Sequence, residues 1–265
     1  MKKRLVFAFS VFDGCLDNRG IKLHLNCLRH YCDVFDEAVF VLTNEDADDG
    51  TVLSVKKELM GIPFKDIRIK MSEKSYLYES QVFYDEVVSK FGELDCLVFF
   101  GHTKGVSNYW REEFEPDNID SWIEGLYYLS LSNIDYVEYC LIKLYTPRFY
   151  GSFLSLTKGD TMLGDDFMYY QGNFFWLNPG RIQWDITKNK VKLPLLYDRW
   201  YTEYFPGRMY DGTNGELCGL NDIQLYTNNK GQSLYYNAKE AIYFILEEEK
   251  KEDFKQFKTE IENGV

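Results

Sequence analysis

Apolar and polar positions along this chain set up strands and helices in turn. Residues 4–11, RLVFAFSV, form a nearly unbroken apolar run stopped by Asp13-Gly14. That predicts a buried strand followed by a loop. From Asn18 to Cys32 the period changes: Leu23, Cys27 and Tyr31 share one face, and Ile21, Leu25 and Leu28 another, as in a helix. Residues 38–42, AVFVL, are a second strand. Asp48 or Asp49 caps a helix through Val52, Val55 and Leu59, which Gly61 and Pro63 end. Ile67–Met71 is a short third strand. Leu77, Tyr84, Val88 and Phe91 fall at helical spacing and predict a helix over 77–91. Cys96–Phe100 is a fourth buried strand, ending in Gly-His-Thr-Lys-Gly. A further helix covers 119–132, with Trp122, Ile123, Leu126 and Leu129 inward.

From Tyr150 the texture shifts. Short β-like runs at 150–156, 167–170 and 173–177 are punctuated by Gly, and irregular aromatic-rich loops continue to about 236. A charged helix follows from Lys239, with Ile242, Ile245, Phe254, Phe257 and Ile261 apolar. Strands alternating with helices in the first half predict an α/β fold with a mostly parallel sheet flanked by helices. The simplest organisation is one domain: a ligand-binding half to about 110, a second half over 111–238, and a terminal helix over 239–262.

Composition narrows the functional classes. The net charge of -12 repels polyanions and argues against nucleic acid and against a permanent seat on an anionic membrane through the body of the protein. A local basic spot can still bind one diphosphate. Aromatic residues are 17 % of the chain; most lie in apolar runs and belong to the core, and the remainder suit stacking on flat ligands. The six Cys show no CxxC spacing, so reduced thiols in a cytoplasmic protein are expected. The short apolar run at the start lacks a secretory cleavage pattern, and no stretch is as long as a membrane span. The histidines 24, 30 and 102 do not have the spacing of a zinc site, and His24, among apolar neighbours, reads as structural.

Candidate chemistry gathers after the fourth strand. Ligands of parallel α/β sheets bind beyond the carboxyl ends of the strands. There Gly101 and Gly105 allow a tight approach, His102 and Thr103 offer hydrogen bonds, and Lys104 a positive charge. The set suits a diphosphate; the plainer reading is an ordinary loop with a solvated Lys. No GxxxxGK[ST] or GxGxxG is present, which excludes a P-loop NTPase and disfavours a dinucleotide oxidoreductase.

The HTKG stretch, the later Trp122 and the block Gly172-Asn173-Phe174-Phe175-Trp176 together resemble a family of bacterial glycosyltransferase-like proteins of polysaccharide and capsule biosynthesis. A looser match is the helix with His24, Cys27 and Leu28 followed by Phe35-Asp36. The resemblance runs from about residue 4 to about 205. It implies a GT-A-like fold, cytoplasmic, that moves a sugar from a nucleotide-diphosphate donor to a saccharide acceptor, as a homodimer or within a polysaccharide-assembly complex.

On that reading Ser10, Asp13 and Arg19 join His102, Thr103, Lys104 and Gly105 around the donor, with Arg19 pairing a phosphate. The plainer reading of the first loop is a helix cap and a surface Arg. Gly172, Asn173, Phe174 and Trp176 would meet the acceptor. Glu203 is the candidate base, with Asp222 its rival. Metal-dependent relatives hold Mn or Mg on an Asp-x-Asp after the fourth strand; His-Thr-Lys-Gly stands in that place. Asp165 and Asp166 are the remaining metal candidates, though adjacent carboxylates point apart in a strand. Two other readings stay open: a non-catalytic sugar- or nucleotide-binding protein that keeps the fold, and a glycoside hydrolase, which needs a flanking carboxylate pair such as Asp165 and Glu203.

Overall fold

The computed structural model describes residues 1–44, 47–72, 77–103, 106, 109, 115–156, 168–170, 172–196, 201–210, 217–221, 242–243, 246 and 248–263. The first half is built as the apolar pattern requires. Strand β1 (Lys3–Val11) leads to helix α1 (Arg19–His30), β2 (Glu37–Asn44), α2 (Asp49–Met60), β3 (Ile67–Met71), α3 (Glu79–Glu86) and β4 (Leu97–His102). The starts of α1 and α2 have a local cause. The Asn18 side chain accepts from the backbone N–H of Gly20 and Ile21, and the Asp48 side chain from Thr51, both N-caps.

The second half adds α4 (Pro116–Leu131), α5 (Ile134–Glu138), a π-helical turn (Tyr139–Lys143), β5 (Phe149–Leu156), β6 (Met168–Tyr170), β7 (Phe175–Leu177), α6 (Pro179–Lys188), α7 (Tyr201–Tyr210), β8 (Leu217–Asn221) and α8 (Glu248–Asn263). The strands join one eight-stranded mixed sheet in the order β3-β2-β1-β4-β7-β5-β6, with β8 also on β5. β3, β2, β1 and β4 are mutually parallel. β7 runs antiparallel to both β4 and β5.

Strand alternation sorts the core into two layers. Leu5, Phe7, Phe9 and Val11 face α1, α2, α4 and α8, whereas Val6 and Ala8 face α3, α6 and α7. Among the described residues, Cys15, Cys27, Cys32, Cys96 and Cys140 are buried. No helix among them is long and apolar enough to cross a membrane.

Three expectations are corrected. The helix expected over 77–91 breaks at Val87, with φ near −125°, into α3 and a short 3-10 turn, Val88–Lys90. Val87 and Val88, on either side of the break, are both buried in the core. β4 does not stop at Phe100 but continues through His102, so His102 sits on a strand end. The stretch expected to be irregular contains α6 and α7.

Candidate functional site

The connection β1–α1–β2–α2–β3 steps one way across the sheet, and α3 then returns the chain to β4 on the other side of β1. The sheet therefore has its topological switch between β1 and β4, and open α/β sheets take their ligands beyond the carboxyl ends of the strands at such a point. Ser10 lies at the end of one strand and His102-Thr103 at the end of the other. Thr103 spans the divide: its hydroxyl accepts from the Ser10 N–H at 3.0 Å, and its own N–H donates to the Ala8 carbonyl at 3.1 Å.

β7 enters the sheet opposite Phe100, so the turn before it lies against the same strand end. Gly172 adopts φ 85° there and Asn173 φ 57°, a left-handed pair that glycine and asparagine tolerate best. His102 Nε2 lies 3.1 Å from the Gly172 carbonyl oxygen. A carbonyl only accepts, so Nε2 carries the hydrogen. On the ring's other side, Nδ1 is 3.9 Å from Glu79 Oε1. The two form an ion pair only where the ring is protonated.

Glu79 is a residue the sequence did not point to. On the chain it is one acid at the start of a helix; only the packing of α3 against the tip of β4 brings it to His102. Its neighbour Ser80 is buried, with its hydroxyl 3.1 Å from that of Thr202 and accepting the Thr202 N–H at 3.2 Å. The first turn of α3 thus ties His102 to α7, which carries the half-buried Glu203 one residue on.

Asn173 is the unusual member of the group. It has no exposed surface, and among the described residues neither its amide nitrogen nor its amide oxygen has a hydrogen-bond partner. Each such group costs about 1–3 kcal/mol when left unmade.

Several expected roles change. Phe174 and Trp176 are fully buried on the α1/α4 side. Phe174 packs edge-on to Phe7, Phe99 and Tyr127. Trp176 stacks on Phe35 and donates to the Ser130 carbonyl at 2.9 Å. Neither ring offers a face to a sugar. Gly172 makes its close approach to a helix rather than to a ligand, since a Cβ there would meet Leu126 at 2.9 Å. Asn173 is closed off from solvent in this conformation.

Arg19 is engaged by Asp117 at 3.3 Å and by Asp120. It is paired with these two carboxylates in this conformation, which fits the plainer reading of a surface Arg. Asp13 accepts from the Asp48 N–H at 3.3 Å and ties the first loop to α2. His24 is structural as expected, buried with Nδ1 2.9 Å from the Tyr127 hydroxyl. Lys104, Gly105, Asp165, Asp166 and Asp222 lie outside the described residues. Among the described residues, no three His, Cys, Asp or Glu side chains converge as metal ligands.

The site thus consists of Ser10, His102 and Thr103 at the strand ends, Glu79 behind the histidine, and the Gly172-Asn173 turn over β4. Compared with known proteins, the chain matches no protein-family model and no curated protein.

Proposed function

We propose that the protein is a glycosyltransferase that moves a sugar from a nucleotide-diphosphate donor to a saccharide acceptor in bacterial surface polysaccharide synthesis. The reading rests on the switch point between β1 and β4, where Ser10 and Thr103 are bonded across the divide and His102 stands between Glu79 and Gly172. Such switch points are where open α/β sheets take nucleotides. The resemblance of the HTKG and GNFFW blocks to the transferase family supplies the reaction class, and with it the GT-A-like assignment.

The chemistry follows from charge. Breaking the bond between the sugar and the diphosphate leaves negative charge on the phosphate oxygens. Groups that stabilise this charge accelerate the step. His102 would offer a hydrogen-bond donor to those oxygens, and Lys104, two residues on in the chain, a positive charge. These two would serve where metal-dependent relatives use Asp-x-Asp with Mn or Mg. Glu203, on the helix tied to α3 through Ser80, would take the proton from the acceptor hydroxyl if the reaction inverts the anomeric centre; Asp222 remains its rival.

A second reading, a binding protein without transfer activity, is favoured by one observation. Asn173, expected at the acceptor, is sealed from solvent. A single assay separates the two: purified protein with a panel of nucleotide sugars and oligosaccharide acceptors, scored for both donor binding and labelled product. Product that disappears in Lys104→Ala with the fold intact supports transfer. Donor binding without product supports the second reading, and neither binding nor product contradicts both.

A further inference from the structure

We propose that the outer face of α6 and the strap that follows it, residues 184–195, is a docking surface for an anionic lipid bilayer. The inference is independent of the sugar-transfer reading and uses none of its residues.

The geometry of α6 sets the surface up. Ile182, Asp185 and Ile186 turn inward: the isoleucines join the α3/α7 core, and Asp185 is held by Arg148. The opposite face therefore presents Trp184, 58 % exposed, with the Lys188 ammonium 5.8 Å from its ring centre. One turn earlier, Arg181 donates to the carbonyls of Ile142 and Pro147, which brings the 142–147 loop alongside, with Tyr145 88 % exposed.

After α6 the chain folds back. Asn189 N–H and Val191 N–H both donate to the Asp185 carbonyl, and Lys190 takes the left-handed conformation, φ 62°. This tight reversal keeps Lys188, Lys190 and Lys192 close together, all exposed. None of the three has a carboxylate partner among the described residues; Lys190 Nζ donates only to the Thr187 carbonyl, at 2.9 Å. The strap continues with Leu193 and Leu195, the latter 80 % exposed.

This combination is out of character for the chain. With a net charge of -12, three unpaired lysines on one reversal form a local positive field against the general sign. The exposed tryptophan, tyrosine and leucines beside them are what a bilayer interface takes up. Indole and phenol rings settle at headgroup level, and leucine side chains enter the acyl boundary. Lysines are drawn to anionic headgroups. A nucleic acid would use the lysines but gain nothing from the leucines. An acidic protein partner would leave the protein indifferent to lipid, and the test below reads that as failure.

The test is co-sedimentation of the full chain with vesicles of phosphatidylcholine, alone or with about 30 mol % phosphatidylglycerol, across a salt series. The proposal expects binding to the anionic vesicles only, weakening as salt rises. Each lysine near such a surface adds about fivefold to binding, so Lys188→Gln/Lys190→Gln/Lys192→Gln together should lose about a hundredfold. Leu195→Ser, on an exposed side chain, should also weaken binding without touching the charge. Circular dichroism and melting temperature establish that each variant folds. Absence of binding, equal binding to neutral vesicles, or lysine variants that bind like the parent would overturn the proposal.

Discussion

The residue that most constrains the account is Gly172. Its carbonyl holds His102, its φ of 85° is left-handed, and Leu126 leaves no room for a Cβ. Gly172→Ala should therefore cost about 1–3 kcal/mol, from strain and overpacking together, and should shift the histidine's acceptor. Urea unfolding measures the first effect, and donor affinity at a pH where the variant is folded measures the second.

Asp185 makes a different residue-scale prediction. It is buried and accepts from Arg148 at 2.6 and 3.2 Å, from Tyr210 at 2.8 Å and from Asn189 at 2.9 Å. Burial pushes its carboxyl up, but these donors outweigh burial and hold it below the usual range. Asp185→Ala leaves the Arg148 guanidinium without its carboxylate, and should lower the unfolding free energy by about 3 kcal/mol, because a buried charge then loses its counter-charge. Arg148, Tyr210 and Asn189 are not among the site residues, so donor affinity should survive in the folded variant.

At the scale of elements, Lys258 on α8 reaches Glu124 on α4, whose side chain is 2 % exposed. Burial raises the Glu124 pKa from 4.5 to about 7, opposed by Lys258 and assisted by Asp120 and Glu262. The folded state holds this proton more tightly than the unfolded state. Stability from this group is thus fully present below pH 4.5 and is lost as pH rises through about 7. The loss is about 3 kcal/mol. Glu124→Gln should flatten that part of the stability–pH curve, as read by denaturant unfolding at a series of pH values. An unchanged slope would mean that Lys258 keeps the carboxylate charged throughout.

Elements were legible where the apolar period was long or a cap was present. β1, β2 and β3, with α1 and α2, follow the apolar pattern and the Asn18 and Asp48 caps. α6 was not legible, although Asn178 caps it and Pro179 opens it, because its apolar positions are sparse and its inward Asp185 reads as a surface acid. α7 carries Pro206 inside the helix, a residue that argues against a helix in any sequence reading. The Val87 break and the pairing of Glu79 with His102 depend on contacts between elements far apart in the chain, which no local pattern carries.

At the scale of the whole molecule, the α/β alternation predicted the parallel strands and therefore the end of the sheet at which a ligand would sit. It did not predict that β7 and β5 extend the sheet antiparallel beyond β4. That extension brings the Gly172-Asn173 turn over β4 and sends Phe174 and Trp176 into the core. The high aromatic content serves mainly the two core layers, as the apolar context of those residues implied. Among the described residues, the basic strap at 188–192 stands against the acidic charge of the chain.

The central claim, a nucleotide-sugar site at the β1/β4 switch point, is tested most directly by thermal unfolding with UDP-, GDP-, dTDP- and CMP-linked sugars, each with and without Mn, on the parent chain and on His102→Ala. A ligand at about a hundred times its Kd adds about 2.7 kcal/mol, a rise of about 5–10 °C for a chain of this size. The account predicts such a rise with one donor class in the parent and its loss in His102→Ala. No rise with any donor, or the same rise in both proteins, would contradict it.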